Sequence, residues 1–141
     1  MYANRINRIQ PSATLEMTAK AAELRSLGKN VINLSVGEPD FPTPRNICDA
    51  AIYAMENGHT KYTSAPGMME LREAVCEKLK RDNQLNYSAN NIIVSSGAKH
   101  SLYNACQTLF EKNDEVIIFT PYWVSFPDFI SVTGATPIIV K

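Results

Sequence analysis

The sequence predicts an α/β fold built on a mostly parallel sheet covered by helices, and three observations carry that prediction. First, the C-terminal half alternates short apolar runs with helically periodic segments. Residues 92–95, 116–119 and 137–140 read as strands, while Leu102, Ala105, Cys106 and Leu109 form the inner face of one helix and residues 126–132 a second, shorter one. That order is βαβαβ, which calls for parallel strands, right-handed crossovers and cover on both faces of the sheet. Second, a chain of 141 residues, 45% of them apolar, has the composition of a globular core. Third, the last strand runs directly into Lys141 with no closing helix, so the domain is expected to continue beyond it.

The N-terminal half is helical with irregular connections. Residues 12–27 suit a helix that Ser12 or Thr14 can cap, with Leu15, Ala19, Ala22 and Leu27 as its apolar stripe and Gly28 to end it. Residues 31–36 form a short apolar run of strand type. Gly37-Glu38-Pro39-Asp40-Phe41-Pro42-Thr43-Pro44 follows, too rich in proline for regular structure and therefore an ordered loop. Thr43 and Pro44 make a helix start, with proline at the first helical position and Ile47, Ala50, Ala51, Ala54 and Met55 lining one face up to Gly58. After the irregular residues 59–67, Met68, Leu71, Val75 and Leu79 recur at helical spacing until a polar run at 81–86.

Several function classes are excluded at this level. The formal net charge is zero and the basic residues are interspersed with acidic ones, so nothing recruits nucleic acid electrostatically. Residues 1–11 hold two arginines and no signal-type apolar run, and no stretch approaches bilayer length, which reads as a cytoplasmic chain without a membrane partner. Cys48, Cys76 and Cys106 are far apart and never in a CxxC spacing, so neither a disulfide framework nor a metal site is indicated, and each reads as a small hydrophobe on a helix.

Three constellations carry chemistry. Ser95-Ser96-Gly97-Ala98-Lys99-His100-Ser101 lies between a strand and a helix, where free N–H groups and the helix dipole make a site for a phosphate or carboxylate. The residues alone fit that site and a plain tight turn equally, and the spacing matches neither GxGxxG nor a Walker loop. Pro121-Tyr122-Trp123 follows the next strand at the same sheet edge. The chain's only tryptophan could stack there on a planar ligand, although packing under a loop is the commoner use of such a residue. In Val36-Gly37-Glu38-Pro39-Asp40 the glycine can bring bare backbone to a ligand. Glu38 and Asp40 fit hydrogen bonding to neighbouring N–H groups better than proton transfer. Lys61-Tyr62, in an irregular segment, fits a solvent-facing pair better than a ligand contact.

In combination, Asn33-Leu34-Ser35-Val36-Gly37-Glu38-Pro39-Asp40-Phe41, Lys61-Tyr62 with Gly67 and Leu71-Arg72, Ser96-Gly97-Ala98-Lys99, and Asp114-Glu115-Val116 leading to Pro121-Tyr122-Trp123 resemble the class I aminotransferases, in order and over nearly the whole chain. Within that class the pattern is most similar to bacterial aspartate aminotransferases, whose chains also open on a Pro-Ser-x-Thr segment such as residues 11–14. The resemblance implies the start of a pyridoxal-phosphate transferase fold: residues 1–45 as N-terminal arm and part of a small domain, and 46–141 as the first part of the large, cofactor-binding domain.

The resemblance also implies roles. Gly97, Ala98 and Lys99 would hold the phosphate of pyridoxal 5'-phosphate, and Trp123 would stack on its pyridine. Tyr62 would reach the cofactor phosphate of the partner subunit in a homodimer. Gly37 would meet the substrate's α-carboxylate, Lys99, Ser12 and Thr14 would lie near its distal carboxylate, and Trp123 would contact the substrate as well as the cofactor. The implied reaction exchanges an amino group between aspartate and 2-oxoglutarate. Aromatic, alanine or prephenate transamination is an alternative within the family, and a non-catalytic α/β anion-binding fragment is one outside it. The family's Schiff-base lysine falls beyond Lys141, so no catalytic residue is assigned, Lys99 is not promoted to that role, and the chain alone is expected to be inactive.

Overall fold

The computed structural model describes residues 2–141. They form a 3-10 turn at Asn4–Arg8 and helices α1 (Ala13–Ser26), α2 (Arg45–Glu56) and α3 (Met69–Asn83). A 3-10 turn at Ala89–Asn91, helix α4 (Ala98–Leu109), strand β1 (Glu115–Phe119), helix α5 (Phe126–Ser131) and strand β2 (Thr136–Val140) follow. The chain folds as two compact units: the part up to Asp40 together with Leu102–Lys141, and Phe41–Ser101.

The first unit holds the sheet. β1 and β2 pair in parallel, with Glu115 opposite Thr136 and Phe119 opposite Val140. Backbone bonds extend the pairing at both ends, Thr136 N–H donating to Asp114 O and Thr120 N–H to Val140 O, each at 2.9 Å. Ile118, Ile130 and Ala135 form the buried cluster, with Cys106, Phe110, Val116 and Phe126 against it. Alternation along β1 turns Val116 and Ile118 inward and leaves Ile117 and Phe119 outward. The α/β class with parallel strands is therefore as the sequence predicts. Cover on both sheet faces is not seen, since the outer face with Ile117, Phe119 and Ile139 is bare among the described residues.

Two predicted strands are extended chain instead. Residues 31–36 run along α1 with Val31, Asn33 and Ser35 turned partly inward, the alternation expected of a strand, yet no ladder partner flanks them among the described residues. Thr18 Oγ1 lies 3.1 Å from Ser35 Oγ, and Arg25 donates to Val31 O at 3.1 Å, so one backbone carbonyl of the segment is satisfied by a side chain of α1 and the rest of the contact is between side chains. This also moves the buried stripe of α1. Thr14, Thr18, Ala21 and Leu24 face inward, whereas Leu15 and Leu27 are exposed, contrary to the predicted stripe.

The second unit has no sheet. Residues 92–95 lack a ladder, and Val94 N–H finds Pro66 O at 2.9 Å. On α3 the inward residues are Arg72, Val75, Cys76 and Leu79, not Met68 and Leu71. The helix ends at Gln84, whose φ of 58° places it in the left-handed conformation and whose N–H donates to Leu79 O. Pro44 is the N-cap of α2 and not its first helical residue, one position from the expected start.

Candidate functional site

The phosphate-loop candidate belongs to the Phe41–Ser101 unit. Gly97 has φ of +83°, a conformation that disfavours any residue with a Cβ, and its N–H donates to Ser95 O at 2.8 Å. The turn is completed by Gly97 O, which accepts from His100 N–H at 3.2 Å and Ser101 N–H at 3.3 Å as α4 begins. A helix of this length leaves first-turn N–H groups without intrahelical acceptors and carries partial positive charge at its start. Nothing lies within 4 Å of where a Cβ on Gly97 would stand, so the backbone of the loop is open to an approaching anion.

One contact of this loop is not apparent from its residue types. His100 Nδ1 accepts from Ser96 N–H at 3.1 Å, closing the loop across the first turn of α4. An acceptor role for Nδ1 belongs to the tautomer that carries its proton on Nε2, and the bond ties Ser96 to the first turn of α4. Its only signal in the sequence is the Ser-Gly-x-x-His spacing. Lys61 and Tyr62 lie elsewhere in the same unit, lining an open cleft of about 330 Å³ with His59, Thr63, Ser64 and Glu70. The Tyr62 side chain is fully exposed.

The remaining candidates belong to the other unit. Trp123 follows β1 and the cis Thr120–Pro121 peptide. Its ring meets Phe126 edge-on at 5.9 Å and 85°, and Phe129 at 6.3 Å and 66°. Packing and accessibility coexist there, because 44% of the residue stays exposed. Gly37 sits in an exposed segment with nothing within 4 Å of a built Cβ, and its φ is not among the positive ones. Its loop is anchored upstream, where Asn33 Oδ1 accepts from Ser35 N–H at 3.0 Å and Ser35 Oγ at 2.6 Å. Glu38 and Asp40 are exposed and make no hydrogen bond among the described residues, so the backbone bonds expected of them are not formed.

Ser12 and Thr14 open α1. Ser12 Oγ accepts from Leu15 N–H at a long 3.4 Å; the Thr14 backbone carbonyl accepts from Thr18 Oγ1 at 2.8 Å, and the Thr14 hydroxyl itself makes no hydrogen bond among the described residues. Cys106, packed against the core, has its thiol pushed up from the ordinary value by burial, which favours the neutral thiol over the reactive thiolate. Among the described residues no helix is long and apolar enough to cross a membrane.

Comparison with known proteins relates these features to others. The sequence pattern of the family described as "Aminotransferase class I and II" matches residues 29–141. An aspartate aminotransferase of Bacillus sp. (strain YM-2) is 50% identical over 100% of this chain and 36% of its own length. An aspartate/prephenate aminotransferase of Nitrosomonas europaea is 47% identical over 98% of this chain and 35% of its own. The structure of aspartate aminotransferase from Thermus thermophilus with maleate superposes with a TM-score of 0.94 at 41% identity, over 99% of this chain and 37% of that one. The chain thus spans little more than a third of the length of these relatives. Over that third its sequence and its fold both match them, and the chain belongs to the class I and II aminotransferase family.

Proposed function

We propose that the full-length protein carrying this chain is a pyridoxal-phosphate-dependent aminotransferase, a cytoplasmic homodimer that moves the amino group between L-aspartate and 2-oxoglutarate, giving oxaloacetate and L-glutamate. The observation that carries the proposal is the loop at 96–99, where a positive-φ glycine with open space beside it starts a 12-residue helix. A phosphate dianion fits such a place because small residues let the backbone approach it and the helix start stabilises negative charge.

Pyridoxal phosphate, when bound, supplies an electron sink that acidifies the α-carbon of an attached amino acid. The residues of this chain then bind and orient. Gly97, Ala98 and Lys99 hold the phosphate, and the His100–Ser96 bond keeps their amides in register. Trp123, held by Phe126 and Phe129, offers its ring to the pyridine, which restricts rotation of the cofactor about its phosphate anchor. Gly37 brings backbone to the α-carboxylate, and Lys99, Ser12 and Thr14 lie near the distal carboxylate. The open space at Gly37 and the uncommitted Thr14 hydroxyl support these assignments. Tyr62 reaches the cofactor phosphate of the partner subunit, a role its full exposure supports. Residues 1–45 form the arm and part of the small domain and 46–141 the first part of the large one.

No residue of this chain takes the covalent role, so the chain alone is expected to be inert. The test is the absorbance of the full-length protein loaded with pyridoxal phosphate, before and after L-aspartate. Conversion of the cofactor band by aspartate, reversed by 2-oxoglutarate, is expected. A bound cofactor that aspartate leaves unchanged, but that glutamate converts and prephenate restores, would move the substrate to that alternative, and failure to bind the cofactor would overturn the proposal.

A further inference from the structure

We infer that Gly67 and Arg72 are positioning residues for the anion-binding loop at 96–99, acting through the segment 89–95 that delivers it. Arg72, on α3, is only 6% exposed and has no carboxylate partner among the described residues. Its Nη1 donates to Ala89 O at 2.9 Å, its Nη2 lies 3.6 Å from Met69 Sδ, and its buried Nε has no partner among the described residues. A buried guanidinium so poorly compensated is costly, and an apolar side chain of similar volume would serve stability as well or better. What the arginine supplies and an apolar side chain does not is a directed bond to one carbonyl, Ala89 O, at the start of the segment.

The other end of the segment is held by a glycine. Gly67 has φ of +104°, and a Cβ there would stand 2.7 Å from Val94 Cγ2 and 2.8 Å from Val94 Cβ. Only a bare backbone admits Val94 at that distance. The turn carrying Gly67 is itself closed, Gly67 N–H donating to Ser64 O at 2.8 Å and Ser64 Oγ to Gly67 O at 2.5 Å. Pro66 O accepts from Val94 N–H at 2.9 Å. Val94 is two residues before Ser96. The chain that enters the loop is therefore fixed at Ala89 and again at Val94, both times by residues of the 64–72 stretch. That stretch begins two residues after Tyr62, so one short piece of chain holds the segment that enters the loop and carries the tyrosine that lines the 330 Å³ cleft.

The inference rests on reading residues 96–99 as the cofactor-phosphate loop, and the experiment separates failure of one from failure of the other. The full-length apoprotein is titrated with pyridoxal phosphate and with pyridoxal, which lacks the phosphate, and the ratio of the two dissociation constants is compared between the parent protein, Arg72→Met, Gly67→Ala and Val94→Ala. The parent is expected to prefer pyridoxal phosphate, and each variant to lose about tenfold or more of that preference while its affinity for pyridoxal is kept, since displacing positioned groups by about 1 Å is costly. A merely structural role would lower the melting temperature, or weaken both ligands together, with the ratio intact. If the parent shows no preference, the phosphate-loop reading falls. If the parent shows the preference and the variants retain it, the positioning role falls. Should Gly67→Ala not fold, Val94→Ala reads the same contact from its other side without adding an atom.

Discussion

The two units of this chain hold themselves together by different means. The unit with the sheet uses apolar burial: Ile118 on β1, Ile130 on α5 and Ala135 before β2 make one cluster, and Trp123 leans on Phe126 and Phe129 beside it. The Phe41–Ser101 unit contains no buried apolar residue among those described, and its one buried residue is Arg72. It is tied by directed contacts, Arg72 to Ala89, Val94 to Pro66 and Ser96 to His100. Apolar burial is non-directional, so losing part of it weakens a region without re-aiming anything. Directed bonds have the opposite character: each adds little net stability but fixes where a particular backbone atom stands. The loop at 96–99, proposed above to hold the cofactor phosphate, lies in the unit built from directed contacts, where precise backbone placement would have the greatest functional value.

The sharpest way to break this comparison is Ile130→Ala. Ile130 is 4% exposed at the centre of the apolar cluster, and truncating such a residue costs about 2–4 kcal/mol through lost transfer energy and the cavity left behind. Amide exchange of the full-length protein should show faster exchange across residues 114–140, with exchange at 89–100 and the preference for pyridoxal phosphate over pyridoxal unchanged. Loss of that preference to the extent expected for the Arg72 and Gly67 variants would mean that the apolar cluster also sets the loop, and the contrast between the units would fail.

A smaller effect is expected at the start of α1. Ser12→Ala removes a cap whose bond to Leu15 N–H is already long at 3.4 Å. The loss should sit at the low end for N-caps, about 0.5 kcal/mol, and be confined to the first turn in an exchange experiment. Because Ser12 is also proposed to lie near the distal carboxylate, the apparent affinity for aspartate is the second readout. A change there larger than the stability change would separate the substrate contact from the cap.

How much of this was legible in the sequence follows from the same physics. β1 and β2 are recoverable because a run such as Val116-Ile117-Ile118-Phe119 has few other places to go, and Gly97 marks its turn because the conformation all but requires glycine. Residues 31–36 and 92–95 have the same apolar character and the same strand pattern, but a strand exists only with a ladder partner, and sequence pattern does not say whether one is present. On α1 the apolar stripe misled for a related reason. The helix meets an extended segment through Thr18 and Ser35, so Thr14 and Thr18 share the inner face with Ala21 and Leu24. The sequence marks Arg72 only as part of a motif, since arginine is rarely buried and its side chain gives no hint of a carbonyl 17 residues away. Nor does His100 announce that its Nδ1 accepts a backbone bond.

Cys106 gives the finest test of the apolar unit. It packs against the Ile118–Ile130–Ala135 cluster, and burial pushes its thiol above the ordinary value. A raised folded-state pKa means that the folded protein holds the thiol proton more tightly than the unfolded chain does. The associated stability is fully present below the unfolded value, about 8.5, and is lost as pH rises through the folded one. Since the thiolate is the nucleophile, alkylation of the native protein with iodoacetamide near the unfolded value should label Cys106 several-fold more slowly than the same residue in denaturant, with mass spectrometry of the peptides as the readout. Ile130→Ala, by opening the cluster, should narrow that difference. If native Cys106 instead reacts as fast as the denatured chain while the parent is otherwise folded, the cluster is not dry at that edge, and the apolar half of the comparison would have to be redrawn around Ile118 and Ala135 alone.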